Sequence, residues 1–493
     1  MSKKNKIQRT KARRPRGFED KNADVLRAEQ KLIVAAFSVY DCYGFEPLQT
    51  PAFEYADVLG KFLPDEDRPN VGVFALRDDD EQWMALRYDL TAPLARFVAE
   101  HYNDIPKPYR RYQAGSVWRN EKPGPGRFRE FIQCDADSVG APGATADSEM
   151  IMLAADVMEA AGLERGQYAI RVNNRKLLDG ILEASGVPNT KEGSLQRLQV
   201  LRAIDKLDRL GESGVADLLG DGRKDKSGDY TKGAGLDVAG IQAVLGFTTA
   251  SDNDRGKTID TLSKLVGTSE QGANGVAELK TIDEILGTCG YGPDKVVFDT
   301  SIVRGLGYYT GPVFEAEILA NITDKKGRSV RLGSVGGGGR YDDLVSRFRG
   351  QAVPATGYSF GVSRFASALS RMGLVENKDT APVLICVFDK ELMGEYFQMA
   401  AELRAAGVRT ECFIGGGNVG KQLKYADSRG VKLAVLMGSD EKDRGEVTIK
   451  DLVLGAEKAK TIKDNKEWRE SRPAQKIAPR EKLVETIKKM LET

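Results

Sequence analysis

Histidine is nearly absent from this chain, in which His101 is the only example among 493 residues. A histidine-based catalytic triad, a two-histidine metal site and most imidazole proton relays are therefore disfavoured. His101 stands in RFVAEHYND, where the pattern predicts a helix end and favours a surface or capping role over catalysis. We expect any chemistry to rest on arginine, carboxylate and bound cations.

Cysteine is also sparse, and none of the five cysteines forms a CxxC pair. This spacing disfavours a zinc site or a disulfide framework and is typical of a reducing cytosol. No apolar run reaches membrane-spanning length and no signal-peptide core is present, so we expect a cytosolic protein without membrane contact. The 73 basic and 72 acidic residues nearly cancel, which leaves polyanion binding to local charge clusters.

The length predicts two to four domains. Residues 1–16 are basic and predict a disordered arm, either a solubilising tail or a segment attracted to RNA phosphates. A strand-rich pattern over 17–189 resumes over 290–375, and the helical stretch 190–289 between them predicts an insertion domain. Strands and helices alternate over 381–493, which predicts a small α/β domain with a mostly parallel sheet and a tail helix.

The segment Arg119–Gly140, RNEKPGPGRFREFIQCDADSVG, predicts a strand end, a Gly/Pro turn and a long second strand with two unlike faces. Side chains alternate between the faces of a strand. The even positions from 128 to 136 are mostly apolar. The odd positions carry polar groups and one aromatic ring: Arg127, Arg129, Phe131, Gln133, Asp135 and Asp137. Such a face could hold a polyanionic ligand at its arginine end and a small polar ligand at the other.

Two glycine-rich motifs permit close approach of the backbone to a ligand. GGGNVGKQ, residues 415–422, nearly matches a phosphate-binding loop, but Gln422 stands where a Mg²⁺-binding Ser or Thr would be. We therefore expect a strand-to-helix turn that brings backbone close to a partner. GGGGRYDDL, residues 336–344, follows a strand, and both a structural turn and a ligand site remain open.

Two further motifs place charged residues at turns. LRYDLTAPLARF offers Asp89 and Thr91, which could together hold an ammonium group if the backbone is extended. Thr91 as a helix N-cap before Pro93 is the alternative, and it does not exclude the first. Arg304 in IVRGLGYYTGP and Arg364 in SFGVSR are not easily explained as core, because an unpaired buried guanidinium is costly.

Several motifs together carry a family resemblance. Arg119–Gly140 resembles motif 2 of the class II aminoacyl-tRNA synthetases, GYSFGVSR resembles motif 3, and LQTPAFEY resembles motif 1, with Pro51 at a dimer interface. RYDLTAP, RGLGYYTG and GGGGRYDDL narrow the resemblance to the histidyl-tRNA synthetase family, over roughly residues 15–190 and 290–455. It implies an α+β catalytic domain with a mixed, mainly antiparallel sheet flanked by helices, a helical insertion and a C-terminal anticodon-binding α/β domain.

The resemblance implies ligation of L-histidine to histidine tRNA by a homodimer, through a histidyl-adenylate made from ATP. Mg²⁺ would arrive with ATP and not on a dedicated side-chain cluster. The implied catalytic residues are Arg304 and Arg119. The implied ATP-binding residues are Arg119, Glu121, Arg127, Phe131 and Arg364, with adenine between the last two. The implied histidine-binding residues are Asp89, Thr91, Gln133, Asp137, Tyr308, Tyr309 and Tyr341, with Asp137 at the imidazole.

Three departures from the family pattern bear on function. Gly307 replaces an acidic residue, Ser363 replaces the glutamate usual before the motif 3 arginine, and the motif 2 loop EKPGPGRFR differs from the common bacterial form. That loop approaches the tRNA acceptor end in the family, so recognition there could differ. The alternative function is an inactive paralogue that senses histidine as a regulatory subunit or binds RNA. Residues 381–493 and the retained arginines argue against it.

Overall fold

The computed structural model describes residues 10–62, 72–124, 128–190, 192–224, 228–302, 309–323, 329–372, 383–458 and 474–492. The chain divides into two compact units, residues 1–375 and 376–493. Each unit contains hydrophobic core clusters of its own. Within the described ranges, no helix has both the length and the apolar character needed to cross a membrane.

One large sheet runs through the first unit. Its strands are β1 (Glu46–Pro47), β5 (Tyr109–Trp118), β6 (Glu130–Val139), β7 (Tyr168–Asn174), β10 (Val296–Phe298), β11 (Pro312–Thr323), β12 (Ser329–Arg340) and β13 (Ala355–Phe360). They lie in the order β1-β5-β6-β13-β12-β11-β7-β10. The outermost pair at each edge is parallel, and the ladders between them are antiparallel. The mixed, mainly antiparallel sheet is therefore confirmed.

The sequence pattern predicts helices over residues 24–43 and 148–161. The structure contains both, as α1 (Ala23–Cys42) and α3 (Ala144–Ala160), and α3 begins four residues earlier than predicted. Asn22 caps α1 by accepting a hydrogen bond from the Val25 amide at 3.1 Å. The buried side of α1 repeats every fourth residue, as expected of an amphipathic helix. The Tyr40 hydroxyl on that side donates to the Cys134 carbonyl at 3.2 Å. Since Cys134 and Ala136 belong to this core, the even face of β6 is the one that packs against the hydrophobic core.

The remaining elements of the first unit lie beside the large sheet or within the predicted insertion. A three-stranded sheet contains β2 (Phe53–Tyr55), β3 (Ala75–Arg77) and β4 (Trp83–Leu86). A hairpin contains β8 (Gly222–Lys224) and β9 (Tyr230–Lys232). The other helices are α2 (Thr91–Glu100), α4 (Arg175–Ala184), α5 (Ser194–Ile204), α6 (Leu207–Leu219), α7 (Val238–Thr248), α8 (Arg255–Leu265), α9 (Glu270–Thr288), α10 (Ser346–Arg349) and α11 (Val362–Arg371). His101 follows α2 as its C-cap residue and is partly exposed, which confirms the predicted position at a helix end.

The second unit is an α/β sandwich around a five-stranded sheet. Its strands are β14 (Val383–Ile385), β15 (Thr410–Cys412), β16 (Leu433–Leu436), β17 (Glu446–Asp451) and β18 (Gln475–Pro479). Its helices are α12 (Met393–Ala405), α13 (Val419–Ser428), α14 (Ser439–Asp443), α15 (Leu452–Lys458) and α16 (Leu483–Glu492). The order is β15-β14-β16-β17-β18, with the first two ladders parallel and the last two antiparallel. The prediction of a mostly parallel sheet is therefore wrong for β17 and β18.

The glycine-rich turn at 415–422 joins β15 to α13, as predicted. Asn418 is the N-cap of α13. The Gln422 side chain is buried, donates to the Val387 carbonyl at 2.6 Å and accepts from the Val387 amide at 2.8 Å. The residue that departs from a phosphate-binding loop thus ties α13 to the end of β14.

Candidate active site

The odd positions of β6 face away from the core and form a polar floor. The strand begins at Glu130, later than the predicted position 127, and Arg127 itself lies outside the described residues. In register, Asp135 stands opposite Gln113 on β5 and Ser359 on β13. Strand pairing therefore aligns one row of polar side chains across three neighbouring strands.

Asp137 contacts two other buried side chains directly. Its carboxylate is almost completely buried, and Oδ2 lies 2.9 Å from Nη2 of Arg111, a fully buried guanidinium. The Tyr341 hydroxyl donates to Asp137 Oδ1. On β13 the opposite residue is Gly357, where a Cβ atom would lie 2.0 Å from Oδ1. Two predicted histidine-pocket residues thus meet in direct contact, and a glycine leaves the space for that contact.

Gln133 and Asp135 are linked through Ser359. The Gln133 amide donates to the Ser359 hydroxyl, which donates to Asp135 Oδ1 at 2.7 Å. Gln133 Oε1 and Asp135 Oδ2 are buried, and neither accepts a hydrogen bond from the described residues. Buried polar atoms normally have partners, so these two oxygens are suited to accept hydrogen bonds from a ligand.

Burial shifts the acid–base properties of the two aspartates. Desolvation and the nearby charge of Asp137 raise the pKa of Asp135 to about 8. Desolvation also raises the pKa of Asp137, although the Arg111 guanidinium opposes the shift. A positively charged group of a ligand would favour the ionised form of both carboxylates.

Asp89 and Thr91 are not arranged as a single extended face, because Leu90 between them has a helical backbone conformation. Helix α2 begins at Thr91, and Asp89 Oδ1 accepts from the amides of Thr91 and Ala92 at 3.1 and 2.9 Å. The interpretation of Thr91 as the N-cap is therefore wrong, since the capping side chain is that of Asp89. An aspartate two residues before the helix satisfies amides that a helix leaves unpaired.

At the other end of β6, Arg119 lies between two aromatic rings. Its guanidinium carbon is 4.4 Å from the Tyr88 ring centroid and 5.1 Å from that of Phe131. The Tyr88 hydroxyl donates to Glu121 Oε1 at 3.0 Å. Two predicted ATP-binding residues, Arg119 and Glu121, therefore contact Tyr88, and a third, Phe131, lies close to Arg119. Nothing in the sequence indicated that Tyr88 belongs to the site.

The remaining predicted residues are less completely described. Arg364 is exposed in the first turn of α11. Tyr309 packs against Gly339, where a Cβ atom would lie 2.9 Å from the ring. Burial and the charge of Asp137 raise the pKa of Tyr309. Arg304, Tyr308 and the departure Gly307 lie outside the described residues.

Sequence reasoning missed two buried arginines that shape the site. Arg111 supports Asp137, and Arg87 donates to the carbonyls of Thr50 and Ser116, each at 2.9 Å. Both belong to strand or turn segments rich in charge, where the sequence alone does not distinguish a buried arginine from an exposed one. The register of β5 against β6, which places Arg111 opposite Asp137, is the signal that could have found the first.

The described residues do not form a metal-binding cluster. No group of three or more His, Cys, Asp or Glu side chains among them has an arrangement that could hold a metal ion. We therefore assign no side chain to a Mg²⁺ ion.

Comparison with known protein families finds a match in each of the two units. A family model described as histidyl-tRNA synthetase matches residues 17–365, and one described as an anticodon binding domain matches residues 382–490. The histidine–tRNA ligases of Mesorhizobium japonicum and Rhizobium leguminosarum bv. trifolii are 55% and 56% identical to the chain. In both cases the match covers 99% of this chain and 97% of the relative.

Solved structures show the same fold. The histidyl-tRNA synthetase from Nostoc sp. PCC 7120 has 29% identity and a TM-score of 0.74, covering 98% of this chain and 100% of its own. A Bacillus halodurans protein described as an ATP phosphoribosyltransferase regulatory subunit/histidyl-tRNA synthetase has 22% identity and a TM-score of 0.65, over 85% and 97% of the two chains. The latter likeness concerns the fold alone.

The sheet and its motif-bearing strands define a class II aminoacyl-tRNA synthetase. Because the family model matches most of the chain and close relatives align over nearly all of it, the chain belongs to the histidyl-tRNA synthetase family.

Proposed function

We propose that the chain ligates L-histidine to histidine tRNA and uses the odd face of β6 to hold ATP and histidine. The observation that carries the proposal is the buried contact of Asp137 with both Arg111 and Tyr341. A ligand with hydrogen-bond donors would complete this pocket, since Gln133 and Asp135 each offer an oxygen without a partner among the described residues. The imidazole and ammonium groups of histidine supply such donors.

The first reaction needs no basic residue. A histidine carboxylate oxygen, already an anion, attacks the α-phosphorus of ATP and pyrophosphate leaves. The main barrier is the crowding of negative charge, which guanidinium groups relieve. Arg119, held between Tyr88 and Phe131, is proposed to face the α-phosphate, together with Arg304 and with Arg127 at the terminal phosphates. In the second step a hydroxyl of the tRNA 3′ end attacks the acyl carbon and AMP leaves.

Mg²⁺ is proposed to enter with ATP, bound mainly by phosphate oxygens and water. Phe131 and Arg364 are proposed to enclose adenine, with Glu121 beside it. Gln133, Asp89 and Thr91 are proposed for the histidine amino group, with Asp137 at the imidazole. Tyr308, Tyr309 and Tyr341 would close the pocket around the ring.

We propose one binding partner for each of the two units. The second unit is proposed to contact tRNA, in keeping with the anticodon-binding family model. A homodimer is proposed through the three-stranded sheet, which exposes the apolar side chains of Phe53, Tyr55, Leu76 and Trp83, because exposed apolar patches mark interaction surfaces. The cytosolic location rests on the five cysteines, all of them free.

Histidine-dependent exchange of pyrophosphate into ATP tests the reaction and the site together. We expect exchange by the wild type, a loss of about 100-fold or more in Arg119→Ala, and a raised KM for histidine in Asp137→Asn. Arg444→Ala, which removes an exposed arginine of the second unit paired with Glu446, should leave exchange unchanged. Folded wild-type protein without exchange would favour the inactive paralogue and refute the proposal.

A further inference from the structure

The buried carboxylate of Glu29 lies outside the proposed site and is connected to it through the hydroxyl group of Ser363. Glu29 on α1 is 2% exposed. Its Oε1 accepts from Lys21 Nζ and from the Ser363 hydroxyl, both at 2.6 Å. The same hydroxyl oxygen accepts from the Ile132 amide at 3.0 Å. Glu29, Ser363 and Ile132 thus form a continuous chain of hydrogen bonds from α1 to β6.

The far end of this chain lies between residues proposed to bind ATP. Ile132 directly follows Phe131 on β6, and Ser363 directly precedes Arg364 on α11. The Ser363–Ile132 hydrogen bond therefore links the two segments that carry the proposed adenine-stacking residues. A shift of either segment would change the gap in which adenine is proposed to lie.

Residues before α1 hold the same region in place. The Arg129 amide, next to the start of β6, donates to the Gly17 carbonyl at 2.8 Å. Gly17 has a φ of 86°, and a Cβ atom there would lie 2.9 Å from the Arg129 side chain. Lys21, between Gly17 and α1, brings its ammonium group to Glu29 and also donates to Ser363 at 3.2 Å. The chain segment from Gly17 to Glu29 therefore contacts both motif 2 and motif 3.

We propose that Glu29 is a positioning residue for ATP, which sets the spacing of Phe131 and Arg364 through the Ser363 hydroxyl. The proposal rests on the proposed ATP site. A buried carboxylate is costly unless it is paired and hydrogen-bonded, and here Lys21 and Ser363 both donate to Glu29 Oε1, whereas Oε2 is buried and accepts no hydrogen bond from the described residues. Ser363 stands where the resembling family usually has glutamate, so in this chain α1 supplies a carboxylate to the start of the motif 3 helix.

Steady-state pyrophosphate exchange on the full-length chain tests the proposal. Glu29→Ala should raise the KM for ATP about tenfold or more, while the KM for histidine stays within about twofold, because the histidine pocket has separate supports in Arg111 and Tyr341. Gln30→Ala, an exposed neighbour on α1, is the matched control and should match the wild type. Glu29→Gln keeps the shape and one acceptor, so it should lie between the wild type and Glu29→Ala.

A relocated carboxylate distinguishes positioning from general support of the fold. Glu29→Ala combined with Ser363→Glu returns an acid to the same place from α11, and it should recover most of the lost affinity for ATP. Equal rises in both KM values, or no rise in the KM for ATP with the protein folded, would overturn the proposal. Phe131→Ala, assayed in parallel, separates the two ideas: if it leaves the KM for ATP unchanged, the proposed ATP site itself is wrong.

Discussion

Asp135 is a carboxylate held where ionisation is unfavourable. Ser359 donates to one oxygen, and the other is buried without a partner among the described residues. The negative charge of Asp137 adds to desolvation, and the pKa of Asp135 rises to about 8. Ionisation of Asp135 in the ligand-free protein is therefore electrostatically unfavourable. A ligand bearing N–H donors or positive charge would reduce this penalty.

This penalty predicts a pH dependence of stability. The folded pKa of Asp135 lies above its unfolded value of about 3.9, so the native state binds more protons than the unfolded state between about pH 4 and 8. The free energy of unfolding should therefore fall as pH rises through that window. Asp135→Asn cannot ionise, and urea denaturation at pH 5 to 8 should show a shallower decline than in the wild type.

Asp217→Asn, which changes an exposed aspartate, provides the control for the loss of one charge. It should follow the wild-type curve. Parallel curves for Asp135→Asn and the wild type would mean that Asp135 titrates normally and would contradict the prediction.

Residue identity alone did not predict these environments. The alternation along 131–137 correctly placed polar groups on one face, and Asp137 and Tyr341 do meet. Arg111 escaped notice because its sequence neighbours do not reveal whether an arginine is buried; its role depends on pairing with a strand distant in the chain. Asp89 was assigned only to a ligand, whereas its carboxylate also caps α2.

At the scale of elements, the neighbouring glycines Gly338 and Gly337 of β12 serve different structural purposes. A Cβ atom on Gly338 would lie 2.1 Å from the Gly357 carbonyl oxygen and 2.6 Å from the Phe314 ring. A Cβ atom on Gly337 would meet nothing closer than 3.4 Å. The first glycine lets β12 pack against its neighbours, and the second leaves the opposite, polar face open.

The pair gives a matched test. Gly338→Ala should lower the free energy of unfolding by about 1–3 kcal/mol or more, because overpacking a filled core forces the backbone to shift. Gly337→Ala should stay close to the wild type in stability. Urea denaturation at neutral pH measures both, and equal losses in the two variants would show that the packing argument is wrong.

Elements with a long, regular pattern were the predictable ones. Helix α1 repeats its buried side over twenty residues, and its prediction is confirmed within one residue at each end. Strands β17 and β18 were missed because they carry charges among their apolar positions. Their antiparallel pairing depends on β16, and so on a contact that no local pattern contains.

At the scale of the whole molecule, the residues proposed to bind the small substrates and the match to the anticodon-binding family model lie in different units. All residues proposed to hold ATP and histidine belong to residues 1–375, whereas the anticodon-binding family model matches residues 382–490. The second unit has its own core, built from residues such as Val383, Tyr396, Val447 and Ile487. Each unit therefore has the internal packing expected of a domain that folds alone.

Cutting the chain between the units should separate the two half-reactions. A fragment of residues 1–375 should retain histidine-dependent pyrophosphate exchange within a few-fold of the full chain. Its kcat/KM for charging tRNA should fall by about 100-fold or more, since loss of a recognition module worth about 3 kcal/mol has that effect. The fragment 376–493, assayed for binding of histidine tRNA, is the complementary half. A fragment 1–375 that unfolds cooperatively yet shows no exchange would mean that the small-substrate site depends on the second unit, and unchanged charging would mean that tRNA is recognised without it.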